Sequence, residues 1–162
     1  MARILVTGMS GSGKTTVLEE LARREYLAVD TDYGHWVLPN GRWDAARMQA
    51  LLSENESVVV SGTVENQGDF YDAFEHVVLL TAQLEVLLGR LRSRVNNPYG
   101  KTKAEQDEVI AYYHSVEPLL RRGASLILDA TSDVRTLADE IERLIQSNHN
   151  QSSRLGRTDS SD

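Results

Sequence analysis

The sequence predicts an α/β fold, an open parallel sheet with helices on both faces, and two observations carry that expectation. Short aliphatic and β-branched runs alternate with longer segments whose apolar residues recur at helical spacing. At the first junction between the two patterns stands Gly8-Met9-Ser10-Gly11-Ser12-Gly13-Lys14-Thr15-Thr16, which fits G-x-x-x-x-G-K-[ST].

Arg3–Thr7 reads as the first strand, and a helix opens near Lys14 and continues through Ala22. Between them the glycines let backbone N–H groups turn inward around an anion, and the helix aims its positive end at the same place. A triphosphate is the ligand this arrangement suits. Lys14 would reach the β- and γ-phosphates and Thr15 would offer its hydroxyl to Mg²⁺.

Tyr26–Asp30 is a second short strand, which delivers Asp30 and Asp32 to the carboxyl edge of the sheet, where ligands of such sheets collect. Tyr33–Asn40 holds Gly34 and Pro39 and reads as a loop; Arg42–Ser53 reads as a helix with Asp44 as N-cap and Met48, Leu51 and Leu52 on its apolar side. The third strand is Ser57–Gly62, opening into the polar loop Thr63–Gly68. After a helical turn at Phe70–Phe74, a fourth strand is expected at His76–Leu80 and a helix from about Gln83 to Arg94. Val95–Lys103 breaks that helix. A long helix from about Ala104 to Arg122 follows, terminated by Gly123 in the position expected of a C-cap, then a fifth strand at Ser125–Asp129 and a last helix from about Val134 to Gln146. From Ser147 the apolar content collapses, so a disordered tail is expected over 148–162 and a single domain over 1–147.

Composition narrows the function. The chain of 162 residues contains no cysteine, which removes disulfides, thiolate metal sites and cysteine nucleophiles. A net charge of −7 argues against nucleic acid or anionic lipid as partner, no apolar run is long enough to span a bilayer, and no signal segment precedes the first strand. The expectation is a cytoplasmic protein, monomer or homodimer, acting on a small molecule.

On the P-loop, Asp30-Thr31-Asp32, the arginines from Arg90 to Arg94 and Leu128-Asp129-Ala130-Thr131, the chain resembles the nucleoside monophosphate kinase superfamily of P-loop kinases, and within it the shikimate- and gluconate-kinase-like members. The resemblance covers residues 1 to about 147. It implies the three-layer P-loop NTPase fold with strand order 2-3-1-4-5, an acceptor-binding segment at about 33–56 and a short lid at about 94–104. It implies ATP and Mg²⁺ as cofactors, with Asp30 holding the metal through water and Asp32 orienting or deprotonating the acceptor hydroxyl. It also implies adenine recognition by the backbone from Ala130 through Thr131 to Val134.

Phosphoryl transfer needs in-line positioning, a metal and cations that reach the transferring group when water is excluded. Arg90 and Arg94 lie four apart on one helical face, so both can serve one anion, while Arg92 faces elsewhere. His35, Trp36, Arg42, Gly62 and Thr63 are the acceptor-side candidates beside Asp32, whereas Arg47 reads as surface charge. The chain departs from the family in two respects. Ser61-Gly62-Thr63 lacks the triple glycine of shikimate kinases and the Gly-aromatic-Pro-Arg stretch of adenylate kinases, and no acid follows Val58–Val60. Metal duty then falls to Asp30, Asp32 or water. The competing reading is a nucleotide-dependent regulatory ATPase that acts on a protein partner; the absence of N/T-K-x-D counts against a GTPase, and the chain is too short for the second domain of an oligomeric motor.

Overall fold

A computed structural model describes residues 2–93 and 101–155. Its sheet has the order β2-β3-β1-β4-β5, built from β1 (Arg3–Thr7), β2 (Ala28–Asp30), β3 (Val58–Ser61), β4 (His76–Thr81) and β5 (Leu126–Asp129). Every pairing is parallel. The helices are α1 (Lys14–Arg23), α2 (Ala45–Glu54), α3 (Leu84–Ser93), α4 (Lys103–Gly123) and α5 (Val134–Leu155), with a 3₁₀ helix at Gln67–Ala73.

The two faces of the sheet carry separate cores, because successive side chains of a strand point to opposite sides. Ile4, Val6, Val59, Val78 and Leu80 pack with Val17, Leu18 and Leu21 of α1 and Leu137, Ala138 and Ile141 of α5. Leu5, Val58, Val60 and Val77 pack on the other face with Trp43, Met48, Leu52, Phe70 and Phe74. Both sides of β1, β3 and β4 are thus buried, which is why they read as continuous apolar runs without alternation. Arg24 ties the end of α1 to α5 through Asp139 and Glu142, both at 2.7 Å, and its guanidinium value is pushed upward by those carboxylates.

Several element ends differ from the sequence reading. The α2 helix begins at Ala45 and not Arg42, because Val37 and Trp43 pair across a tight antiparallel bridge and Trp43 turns into the core. Asp44 caps it as expected, accepting from the Arg47 N–H at 3.2 Å. The α4 helix ends at Gly123, its last helical residue, with Ala124 one position on as the C-cap. A Cβ on Gly123 would meet Tyr71 Cε2 at 2.4 Å, so the glycine makes room for a ring. The α5 helix continues to Leu155, into the segment expected to be a disordered tail. Once nucleated, a helix gains one backbone bond per added residue, and Ser, Asn and Gln cost little against that.

Gly62 follows β3 at a close approach. A Cβ there would lie 2.3 Å from Thr31 Oγ1 and 3.1 Å from Trp43 Cζ2. Thr31 Oγ1 itself donates to the Ser61 carbonyl at 2.7 Å and accepts from Trp43 Nε1 at 2.9 Å, all of it buried. Gly62→Ala is therefore expected to lower unfolding free energy by about 1–3 kcal/mol through overpacking, read as a lower midpoint in urea.

Candidate nucleotide and acceptor site

The loop between β1 and α1 closes under Lys14. Its Nζ donates to the carbonyls of Gly8 at 2.5 Å and Met9 at 3.2 Å, while the Ser12 N–H returns to the Met9 carbonyl at 3.1 Å. Gly8 lies against β4, where a Cβ would stand 2.4 Å from the Leu80 carbonyl oxygen. Gly13, at φ 92°, sits in the left-handed region and starts α1 without a side-chain cap. The other capped starts differ: Asp44 caps α2 and Thr102 caps α4 with side-chain oxygens. No side chain caps the first turn of α1, and its amides stand at the positive end of the helix dipole, an arrangement that suits an anion.

A cleft of about 610 Å³ opens over that turn, lined by Ser10–Val17, Glu19, Asp32, Tyr33, Arg90, Ala130, Ser132, Val134 and Leu137. On its acidic side Asp30 accepts the Thr15 hydroxyl on Oδ2 at 2.7 Å and the Asp32 N–H on Oδ1 at 3.1 Å. Thr15 thereby gives its proton to Asp30 and keeps its oxygen lone pairs for a cation. Asp32 lies at the surface of the cleft. Crowding by protein atoms pushes its carboxyl value up, nearby Lys14 pulls it back and Asp30 raises it again. Asp30 has both oxygens engaged within the protein, whereas the Asp32 carboxyl, its value raised, lines the cleft.

These oxygens fit Mg²⁺. The ion keeps several waters and binds through one or two protein oxygens plus substrate phosphates, and no group of three or more His, Cys, Asp and Glu capable of holding a metal occurs among the described residues. Thr15 and, through water, Asp30 are the residues that would hold it.

The opposite wall is built by Arg90. Its guanidinium donates to the carbonyls of Gly11 at 3.2 Å, Ser12 at 3.3 Å and Ala130 at 2.6 Å, so it braces the P-loop against the turn after β5. The expected phosphate clamp is, in this conformation, a strut. Arg94 and the greater part of the 94–104 lid lie outside the described residues.

The expected nucleotide contacts divide. Ser10, Gly11, Ser12, Gly13, Lys14, Thr15, Thr16, Ala130 and Val134 line the cleft, but Gly8 and Met9 are buried and do not line it. Thr131 turns away, its N–H and Oγ1 both donating to Asp129 Oδ1 at 2.9 and 2.6 Å. These bonds lower the Asp129 carboxyl, with Arg90 adding to the effect. Ser132 takes the place in the cleft expected of Thr131, and Tyr33 joins Asp32 there. Sequence reading missed both because either residue in a loop has no periodicity to place it.

On the acceptor side the structure separates the candidates. His35 is exposed at φ 62°, and Arg42 reaches outward to Glu65 at 3.4 Å. Trp36 is half-buried under the Arg47 guanidinium, 3.9 Å from the ring centroid, and Arg47 also donates to the Gly34 carbonyl at 2.5 Å. Arg47, exposed on the first turn of α2, thereby also holds the loop that precedes its helix. Thr63 donates to the Gly8 carbonyl at 2.6 Å and accepts from the Gly8 N–H at 3.2 Å, fixing the mouth of the P-loop. Gly62 is excluded from direct contact by its packing on Thr31 and Trp43. Of the expected acceptor residues only Asp32 lines the cleft.

The fold and this site define the class, a P-loop protein with the sheet of the nucleoside monophosphate and shikimate kinase-like group. A family model described as an AAA domain, AAA_18, matches residues 4–111, and the chain belongs to that family. Among solved structures it is similar to a shikimate kinase from Acinetobacter baumannii in complex with shikimate, at 23% identity and TM-score 0.66 over 91% of this chain and 94% of that one. It is also similar to a gluconokinase from Sinorhizobium meliloti 1021, at 20% identity and TM-score 0.60 over 93% and 97%. A deoxyadenosine kinase from M. mycoides with bound dATP matches at 15% identity and TM-score 0.60 over 89% and 99%. At these identities the likeness is one of fold. No curated protein matches the sequence. No described helix is long and apolar enough to cross a membrane.

Proposed function

We propose that this protein transfers the γ-phosphoryl group of ATP to a hydroxyl of a small acceptor, in the presence of Mg²⁺. One observation carries the reading: Lys14, the uncapped start of α1, Thr15 and Asp32, whose carboxyl value is raised, all line a single cleft, and Asp30 accepts the Thr15 hydroxyl beside it. Lys14 and the α1 amides hold the phosphate chain, and Thr15 and Asp30 take the metal, which neutralises phosphate oxygens. Asp32 then orients the acceptor hydroxyl and accepts its proton. Arg90, at the Ala130 end of the cleft, belongs to the wall beside the nucleoside. A kinase of this kind works where ATP is maintained, in the cytoplasm.

ATP consumption measured with panels of sugar acids, polyols and nucleosides tests the reading. Weak basal turnover that rises strongly with one acceptor class is expected, since acceptor binding completes a site otherwise open to water. Turnover indifferent to every small acceptor and raised by a protein partner would favour the regulatory ATPase instead.

A further inference from the structure

The carbonyls of Gly8 and Met9 hold the Lys14 ammonium, and each of them has a second donor. For Met9 that donor is local, the Ser12 N–H of the same loop at 3.1 Å. For Gly8 it comes from 55 residues along the chain, where Thr63 Oγ1 donates to the carbonyl at 2.6 Å. The same oxygen accepts from the Gly8 N–H at 3.2 Å and lies 3.1 Å from Thr7 Oγ1, which in turn accepts from Gln67 Nε2 at 3.1 Å. Gln67 is buried and fixed. Its Oε1 accepts from the Val64 N–H at 2.9 Å, and its Nε2 also donates to the Tyr71 hydroxyl at 2.8 Å. Proton directions agree along the whole chain: Gln67 donates to Thr7, Thr7 to Thr63, and Thr63 to the Gly8 carbonyl. Hydrogen bonds aligned in this way polarise one another, which strengthens the last of them.

We propose that Thr63 is a positioning residue for Lys14: its hydroxyl keeps the Gly8 carbonyl satisfied when the ammonium turns from that carbonyl to the phosphate chain. This inference rests on the nucleotide reading above. An ammonium has three protons, and an incoming triphosphate competes with the two carbonyls for them. Gly8 is buried and its backbone is wedged against β4, where a Cβ would stand 2.4 Å from the Leu80 carbonyl oxygen, so its own carbonyl stays in place once Lys14 leaves. A buried acceptor stripped of its donor would set a cost against nucleotide binding. Thr63 removes that cost, as the Ser12 N–H does for Met9. The P-loop pattern does not contain this device, because its donor stands in the loop after β3.

The test is a double-mutant cycle on the full chain, read by calorimetry with a non-hydrolysable ATP analogue and, separately, with AMP. Thr63→Val keeps the branched shape without the hydroxyl and is expected to bind the analogue about tenfold more weakly, the scale of one buried acceptor left unsatisfied. Thr63→Ser restores the hydroxyl and should bind within about twofold of the wild type. In a Lys14→Ala background the valine substitution should cost nothing further, because no ammonium leaves the Gly8 carbonyl on binding. AMP, whose single phosphate stops short of Lys14, should bind the valine variant and the wild type alike. A hydroxyl that merely braces the loop would give one loss in both backgrounds and with both nucleotides, and that result overturns the proposal. So does a Thr63→Val protein with the analogue affinity of the wild type, while the nucleotide reading stands. Thr63→Ala passes through the same cycle with its melting midpoint recorded, and carries the comparison if the valine variant does not fold. A wild type that binds neither nucleotide overturns both readings.

Discussion

Replacing Asp32 by asparagine is expected to leave ATP affinity nearly unchanged and to reduce phosphoryl transfer by about 10²–10⁴-fold, the range a positioned general base contributes. The readout is kcat with a saturating acceptor beside ATP affinity by calorimetry. The same substitution carries a second signature, in stability. Crowding raises the carboxyl value of Asp32 above its ordinary 3.8, Lys14 moderates the shift and Asp30 adds to it. A carboxyl raised in the folded state takes up protons on folding, so its contribution is complete below the unfolded value and is lost as pH rises through the folded one. Asparagine carries no charge to desolvate. Asp32→Asn should therefore melt above the wild type at neutral pH, and the difference should vanish as the pH falls below about 4, where both side chains are neutral. Because Asp32 is open to the cleft, solvent keeps the gain small. A variant with full activity would remove Asp32 from the chemistry altogether.

Lys14→Ala is expected to lower kcat by about 10²–10³-fold, as loss of one preorganised charge on the transferring group does elsewhere. ATP binding should weaken as well, since the ammonium acts on the ground-state phosphates too. The variant also loses the bonds to the Gly8 and Met9 carbonyls that close the loop. Its melting midpoint is therefore measured alongside. A fall in kcat with the midpoint maintained assigns the loss to the missing charge; unchanged kcat would place the phosphates elsewhere. Combined with Asp32→Asn, the effects should fall short of additive, because the two groups interact across the cleft.

How much of this was legible depends on how local each determinant is. Glycine spacing and the following Lys14-Thr15 specify a phosphate loop within a dozen residues, and the apolar runs of β1, β3 and β4 announce a sheet buried on both sides. Asp44 as a cap was readable for the same reason: its partner is the N–H three residues on. The acceptor residues were not. Arg42, Trp36, His35 and Thr63 were placed by analogy of position, and each meets a partner far along the chain or turns outward. Glu65 takes Arg42, Arg47 covers Trp36, and the Gly8 backbone takes Thr63.

The sequence by itself determined the class of sheet, the loop that grips an anion and the pair of acids at its rim, because periodicity, glycine conformation and short-range capping are written over a few neighbouring residues. Only the tertiary structure decided that Arg90 braces the P-loop to Ala130, that Gly62 exists for Trp43 and Thr31, and that the Ser61 hydroxyl is buried without a hydrogen-bond partner. Each of those depends on contacts between residues tens of positions apart, brought together by burying both faces of one sheet, and no local pattern encodes which partners that burial will select.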